Sequence, residues 1–189
     1  MLQGLGFGLG GTYAEFSGTP GTPLLPSYRT VGQERFFSYR ASSAATSTSA
    51  ATGGTYAKGE RLRWTAQLYY AVHSVGILAE YVHVSQGVAR ANGTVTRSAL
   101  LTGTGWQAQG SWFMTGEQES YGGFTPRTTF QLGGQGWGAF ELVARVDALA
   151  VDPAAFTDGT NSFANPATSV RRAQDAGVGI NWYLNANVK

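Results

Sequence analysis

Cysteine is absent from the 189-residue chain, which removes disulfides, thiolate nucleophiles and cysteine metal sites from consideration. The same absence suits the cytosol and an outer membrane alike. Charge is sparse, at 13% of residues, and the net charge of +2 is too small to argue for a nucleic-acid partner. Long apolar runs are lacking too, so no transmembrane helix or signal-peptide core is expected. Histidines number two, His73 in a turn and His83 on a strand face, with no metal-ligand spacing around either. Both are read as structural or interfacial.

What is abundant points to strands. The chain has 27 glycines and 13% aromatic residues, with many Thr, Ser and Gln. Its length suffices for one domain spanning residues 1–189. Several segments alternate with a period of two. Leu5, Phe7, Leu9 and Tyr13 oppose Gly4, Gly6, Gly8, Gly10 and Thr12. Leu62, Trp64, Ala66, Leu68, Tyr70 and Val72 oppose Arg61, Arg63, Thr65, Gln67 and Tyr69. Trp106 to Met114, Phe140 to Ala148 and Ala176 to Leu184 repeat the pattern, while 33–41 and 76–86 are less clean. The expectation is an all-β, antiparallel up-and-down sheet of about seven or eight strands, with 95–116 forming either one or two of them.

Connectors fall into two kinds. His73–Gly76 and Asn185–Asn187 read as tight turns, whereas 42–58, 87–94 and 150–173 read as long loops. Segments 17–32 and 117–135 are also long, and 41–54 is of low complexity. Short turns at one end and long loops at the other are the habit of outer-membrane barrels. Alternation alone does not say which face points inward. A soluble barrel or sandwich binding a small apolar ligand would turn the apolar faces in; a membrane barrel would turn them out. Trp and Tyr near segment ends and the absence of charge from the apolar faces favour lipid.

Catalysis has little support. Glu141 and Asp147 share a strand face roughly 20 Å apart, too far for a glycosidase pair. The glycines of GLGFGLGG form one face of a strand with no helix after them, unlike a phosphate loop. The polar faces carry Arg61, Arg63 and Arg145, with Glu80, Glu141 and Asp147 as available partners. Two readings stand: paired charges bracing the wall, or arginines lining an anion path. Eleven of the 13 basic residues are arginine, suited to binding oxyanions and equally explicable by base composition.

The blocks WQAQGSWFMTGEQESYGGFTPRTTF, GGQGWGAFELVARVDALAVDPAAF and FANPATSVRRAQDAGVGINWYLNANVK resemble, in order, the C-terminal half of phosphate-selective porins, the porin O and P family. Trp106, Thr115-Gly116-Glu117, the run Gly136 to Leu142 and the run Asn181 to Asn185 carry the likeness; LLPSYRTVGQERFFSYRA and QLYYAVHSVGILAEYVHVSQ extend it. The resemblance implies a transmembrane barrel of about sixteen strands in a Gram-negative outer membrane. It also implies a homotrimer that passes phosphate or similar anions by passive diffusion, without cofactor, metal or catalysis. Against that pattern the chain is expected to be a piece. It lacks a signal peptide, the first half of the barrel, the last two strands and a terminal aromatic residue, so only part of the barrel wall is expected.

Overall fold

A computed structural model describes residues 4–46, 48–120, 122–186 and 188. Eight strands occur among the described residues: β1 (Leu5–Ser17), β2 (Tyr28–Arg29), β3 (Arg35–Phe37), β4 (Thr55–Val72), β5 (Val75–Asn92), β6 (Val95–Phe113), β7 (Ala139–Val151) and β8 (Arg172–Tyr183). Six of them form an open antiparallel sheet in the order β1-β4-β5-β6-β7-β8; β2 and β3 make a separate ribbon. The sheet is all-β and up-and-down, and it is not closed. The outer edges of β1 and β8 carry no ladder partner among the described residues.

The period-two segments lie in register across the whole sheet. Leu9, Ala66, Tyr81, Trp106 and Ala148 form one transverse row on one face, and Gly8, Gln67, Glu80, Gln107, Asp147 and Asp175 form the adjacent row on the other. The apolar face is the bare one: Phe7 is 68%, Leu9 72% and Val178 85% exposed. No second layer covers it, so the arrangement of a soluble sandwich, apolar faces inward, is not adopted. On β4 the apolar stretch from Leu62 to Val72 matches the about 9–11 residues a tilted strand needs to cross a bilayer. Aromatic rings border this band. Trp64 packs on Tyr81 at 5.2 Å and on His83 at 5.7 Å at one border; Trp182 stacks on Phe140 at 5.7 Å near the other. His83 therefore sits in an aromatic border row.

The polar face is covered by connectors. Segment 18–54 with its β2-β3 ribbon, and segment 152–171, fold over it and build a small core from Phe36, Phe37, Phe163 and Ala155 against Val88, Leu101 and Val151 of the wall. The two connectors are stitched to each other: Tyr39 bridges Ala164, Arg40 N donates to Phe163 O at 2.8 Å, and Ser38 N donates to Ser169 Oγ at 2.9 Å.

Several boundaries differ from those expected. Residues 87–92 are strand, closed by a two-residue turn at Gly93 and Thr94; residues 87–90 are buried on both faces, so alternation carries no signal there. Residues 95–113 form one strand. Segment 33–41 supplies only β3, since Phe36 and Phe37 serve the inner core. The segregation of turns from loops is partial. The loop end holds 18–54 and 152–171 but also the Gly93–Thr94 turn, and the other end holds the His73–Ser74 turn and the long 114–138 connector. The expected turn at Asn185–Asn187 lies partly outside the described residues; Leu184 N donates to Val188 O at 2.9 Å.

Candidate anion pathway

All six charges lie on the covered, polar face, because their odd positions on β4 and β7 and even position on β5 share one side of the pleat. The face is common to them; the neighbourhood is not. Arg61 lies opposite Gln86, and Arg63 lies one row nearer the middle, between Thr12 and Val84. Arg145 lies three strands away on β7 and three rows further down. That separation is about 14 Å across the sheet and about 20 Å along it.

Each arginine is committed differently. The Arg61 guanidinium lies over the Phe16 ring at 3.8 Å, donates from Nη2 to Leu24 O at 2.6 Å, and donates from Nε to Gln86 Oε1. It therefore ties the inward connector to the wall. Arg63 is exposed on the inner face and has no hydrogen-bond or ion-pair partner among the described residues. Arg145 Nε lies 3.4 Å from Asp147 Oδ1, an ion-pair distance without hydrogen-bond alignment. Of the expected acid partners, only Asp147 meets an arginine. Glu80 accepts from Gln67 Nε2 at 2.6 Å and from Gln107 Nε2, across both flanking strands. Glu141 accepts from Asn181 Nδ2 at 2.8 Å and from the Tyr183 hydroxyl at 2.7 Å.

Three further arginines converge where none was singled out. Arg90, 6% exposed, donates to Gly53 O at 2.7 Å, Thr160 O at 2.6 Å and Ser162 O at 2.8 Å. Arg97, its register partner, binds Asn161 O at 2.9 Å and Asp158 Oδ2 at 2.6 Å, with its guanidinium 4.7 Å from the Phe163 ring. Arg40 reaches Ser162 Oγ at 3.1 Å and Gly159 O at 3.1 Å. Together they hold segment 157–162 by its backbone. A planar fork with several fixed donors suits that task, and a lysine would not match it. The signal was hidden because 87–94 read as a loop; recognised as strand, it would have placed Arg90 beside Arg97.

An open sheet with a bare apolar face, aromatic borders, and arginines and carboxylates on a face covered by inward-folded connectors defines a class: the wall of a transmembrane β-barrel channel. The family model for phosphate-selective porin O and P matches residues 18–189, and the chain belongs to that family. It is a family of bacterial outer-membrane channels, not of enzymes. Comparison with curated proteins and with solved structures gives no match.

Proposed function

We propose that this chain forms part of the wall of an outer-membrane porin through which phosphate or a similar small anion diffuses passively, without a cofactor. Further strands pair with the open edges of β1 and β8 to complete the barrel, the apolar face meets outer-membrane lipid, and the complete protein is a homotrimer. The observation that carries the anion reading is Arg63: a guanidinium on the inner face, exposed and uncommitted among the described residues. Such a fixed cation concentrates anions in a low-dielectric channel and offers parallel donors to an oxyanion. Arg61 holds the connector that shapes the path, and Arg145 offsets Asp147.

Reversal potentials of the complete porin in planar bilayers across a salt gradient test this. Arg63→Ala is expected to lower anion over cation permeability, most at low salt where screening is weakest. Arg145→Ala is expected to lower it further by leaving Asp147 uncompensated, and Arg61→Ala to act mainly through connector stability. Unaltered reversal potentials in the three single variants and in the triple variant would remove these arginines from transport.

A further inference from the structure

Along the inner face of the wall, charge is sorted by depth. From the loop end inward, the rows carry Arg90 and Arg97, then Arg61, then Arg63, and no carboxylate from any strand. One row of Thr65, Val82, Gly105, Leu149 and Ala173 carries no charge. The next row holds Glu80, Asp147 and Asp175 on three of four adjacent strands, with Gln107 between the first two. Beyond it lies Glu141, with Arg145 as the sole cation of this half among the described wall residues. The 114–138 connector adds to the acidic side, bringing Glu119 Oε2 within 2.8 Å of Ser111 Oγ, while its Glu117 accepts from the backbone N–H of Arg127 at 3.3 Å. Arg63 and Glu80 stand two rows apart, about 13 Å along the strand.

Glu80 takes two amide donors, and Asp147 faces Arg145. Asp147 and Asp175 nonetheless sit directly opposite each other, a pairing that repels. Its retention on the inner face is unexplained by packing, since Asp175 is exposed.

We infer that the channel is bipolar: a basic zone at the loop end abuts an acidic zone at the turn end, and the row Glu80, Asp147 and Asp175 makes conduction depend on direction. The inference rests on the porin reading. Fixed cations fill their zone with mobile anions, and fixed anions fill theirs with cations. With the turn-end compartment positive, anions enter through the basic zone and cations through the acidic one. Both meet at the uncharged row and carry current. With the polarity reversed, both are drawn away from that row and it empties of carriers. The acidic row is thus a specificity-determining element that works against free anion passage and admits small cations to the turn-end mouth.

Current–voltage curves in symmetric potassium chloride test this on the complete porin, its orientation assigned by one-sided protease cleavage of the 18–54 connector. At about 0.01 M salt, where the Debye length is about 30 Å, turn-end-positive current should exceed the opposite current by about two-fold or more. The ratio should fall to one at about 1 M salt, where the length is about 3 Å. Glu80→Gln with Asp147→Asn and Asp175→Asn should abolish the asymmetry and raise anion selectivity. Should that variant fail to fold, Asp175→Lys, on an exposed side chain, should reduce the ratio. Symmetric curves at low salt, or a ratio unchanged in either variant, would overturn the inference while leaving anion selectivity, read from reversal potentials, standing. Rectification without anion selectivity would support bipolarity and sink the anion reading instead. Absence of any conductance would overturn both.

Discussion

Arginine is used here in two ways, distinguished by the hydrogen bonds it makes. Arg90 spends its donors on three carbonyls of the covering connectors, whereas Arg63 spends none among the described residues. Arg90→Ala is therefore expected to leave three carbonyls without their charged donor and to destabilise the connectors by on the order of 3 kcal/mol. Limited proteolysis within 157–162 should accelerate, and Arg90→Lys should restore little because an ammonium cannot reproduce the fork. Tyrosines supply a second residue-scale test. Burial pushes the phenols of Tyr28 and Tyr39 above the usual range, and the neighbouring Tyr28 raises Tyr39 further. The unfolded chain releases these protons near pH ~10, whereas the folded protein holds them. Their contribution is present below about pH 10 and shrinks above it, so the 18–54 connector should become protease-sensitive as pH rises beyond that point. Cleavage that is flat with pH through that range would contradict the assignment. Which arginine is free was not legible in the sequence, because Arg61 and Arg63 share a strand face and differ in what the distant Phe16, Leu24 and Gln86 bring to one of them.

Strands carry the clearest signal and the clearest failures. The alternation in β1, β4, β7 and β8 was legible because each has one face bare and one polar. It faded in β5 near Val82, Val84 and Val88, which face inward yet are apolar: the connectors bring Phe36, Phe37 and Phe163 over that part of the wall. A contact made by residues more than forty positions away leaves no local period. The face assignment itself is testable. Leu68 and Gln67 are neighbours on opposite faces of β4. Leu68→Arg should cost about 2–4 kcal/mol of folding stability in lipid, and Gln67→Arg much less. Equal costs in a denaturant titration of the refolded porin would refute the outward apolar face. The bulge where Ala57 to Arg61 slips against β5 makes a second demand. A methyl group on Gly87 would lie 2.2 Å from Lys58 O, so Gly87→Ala should displace the bulge and lower the unfolding midpoint.

At the scale of the molecule, the sheet is open while its apolar face is bare, two features that bilayers do not tolerate together in one isolated unit. This chain alone, refolded in detergent, is expected to associate through the edges of β1 and β8 and to show no heat-modifiable monomer band. A monodisperse folded monomer would require those edges to find each other, closing a barrel narrower than the family's. Family membership is legible in the sequence because whole blocks of residues carry it in order; a register of charges across six strands has no such linear trace.

The stitching of the two covering connectors sets an order of events. Ser38 meets Ser169 and Arg40 meets Ser162 across more than a hundred residues of intervening chain, so these contacts close only after β4 to β7 have paired and brought both segments to the same end. Hairpins such as β4-β5 and β5-β6, joined by two-residue turns, need no such wait. Secondary structure and the inner core should consequently mature on separate clocks. During insertion the complete porin is expected to pass through a stage in which its wall exists but its interior is still unobstructed, and to narrow only as assembly ends.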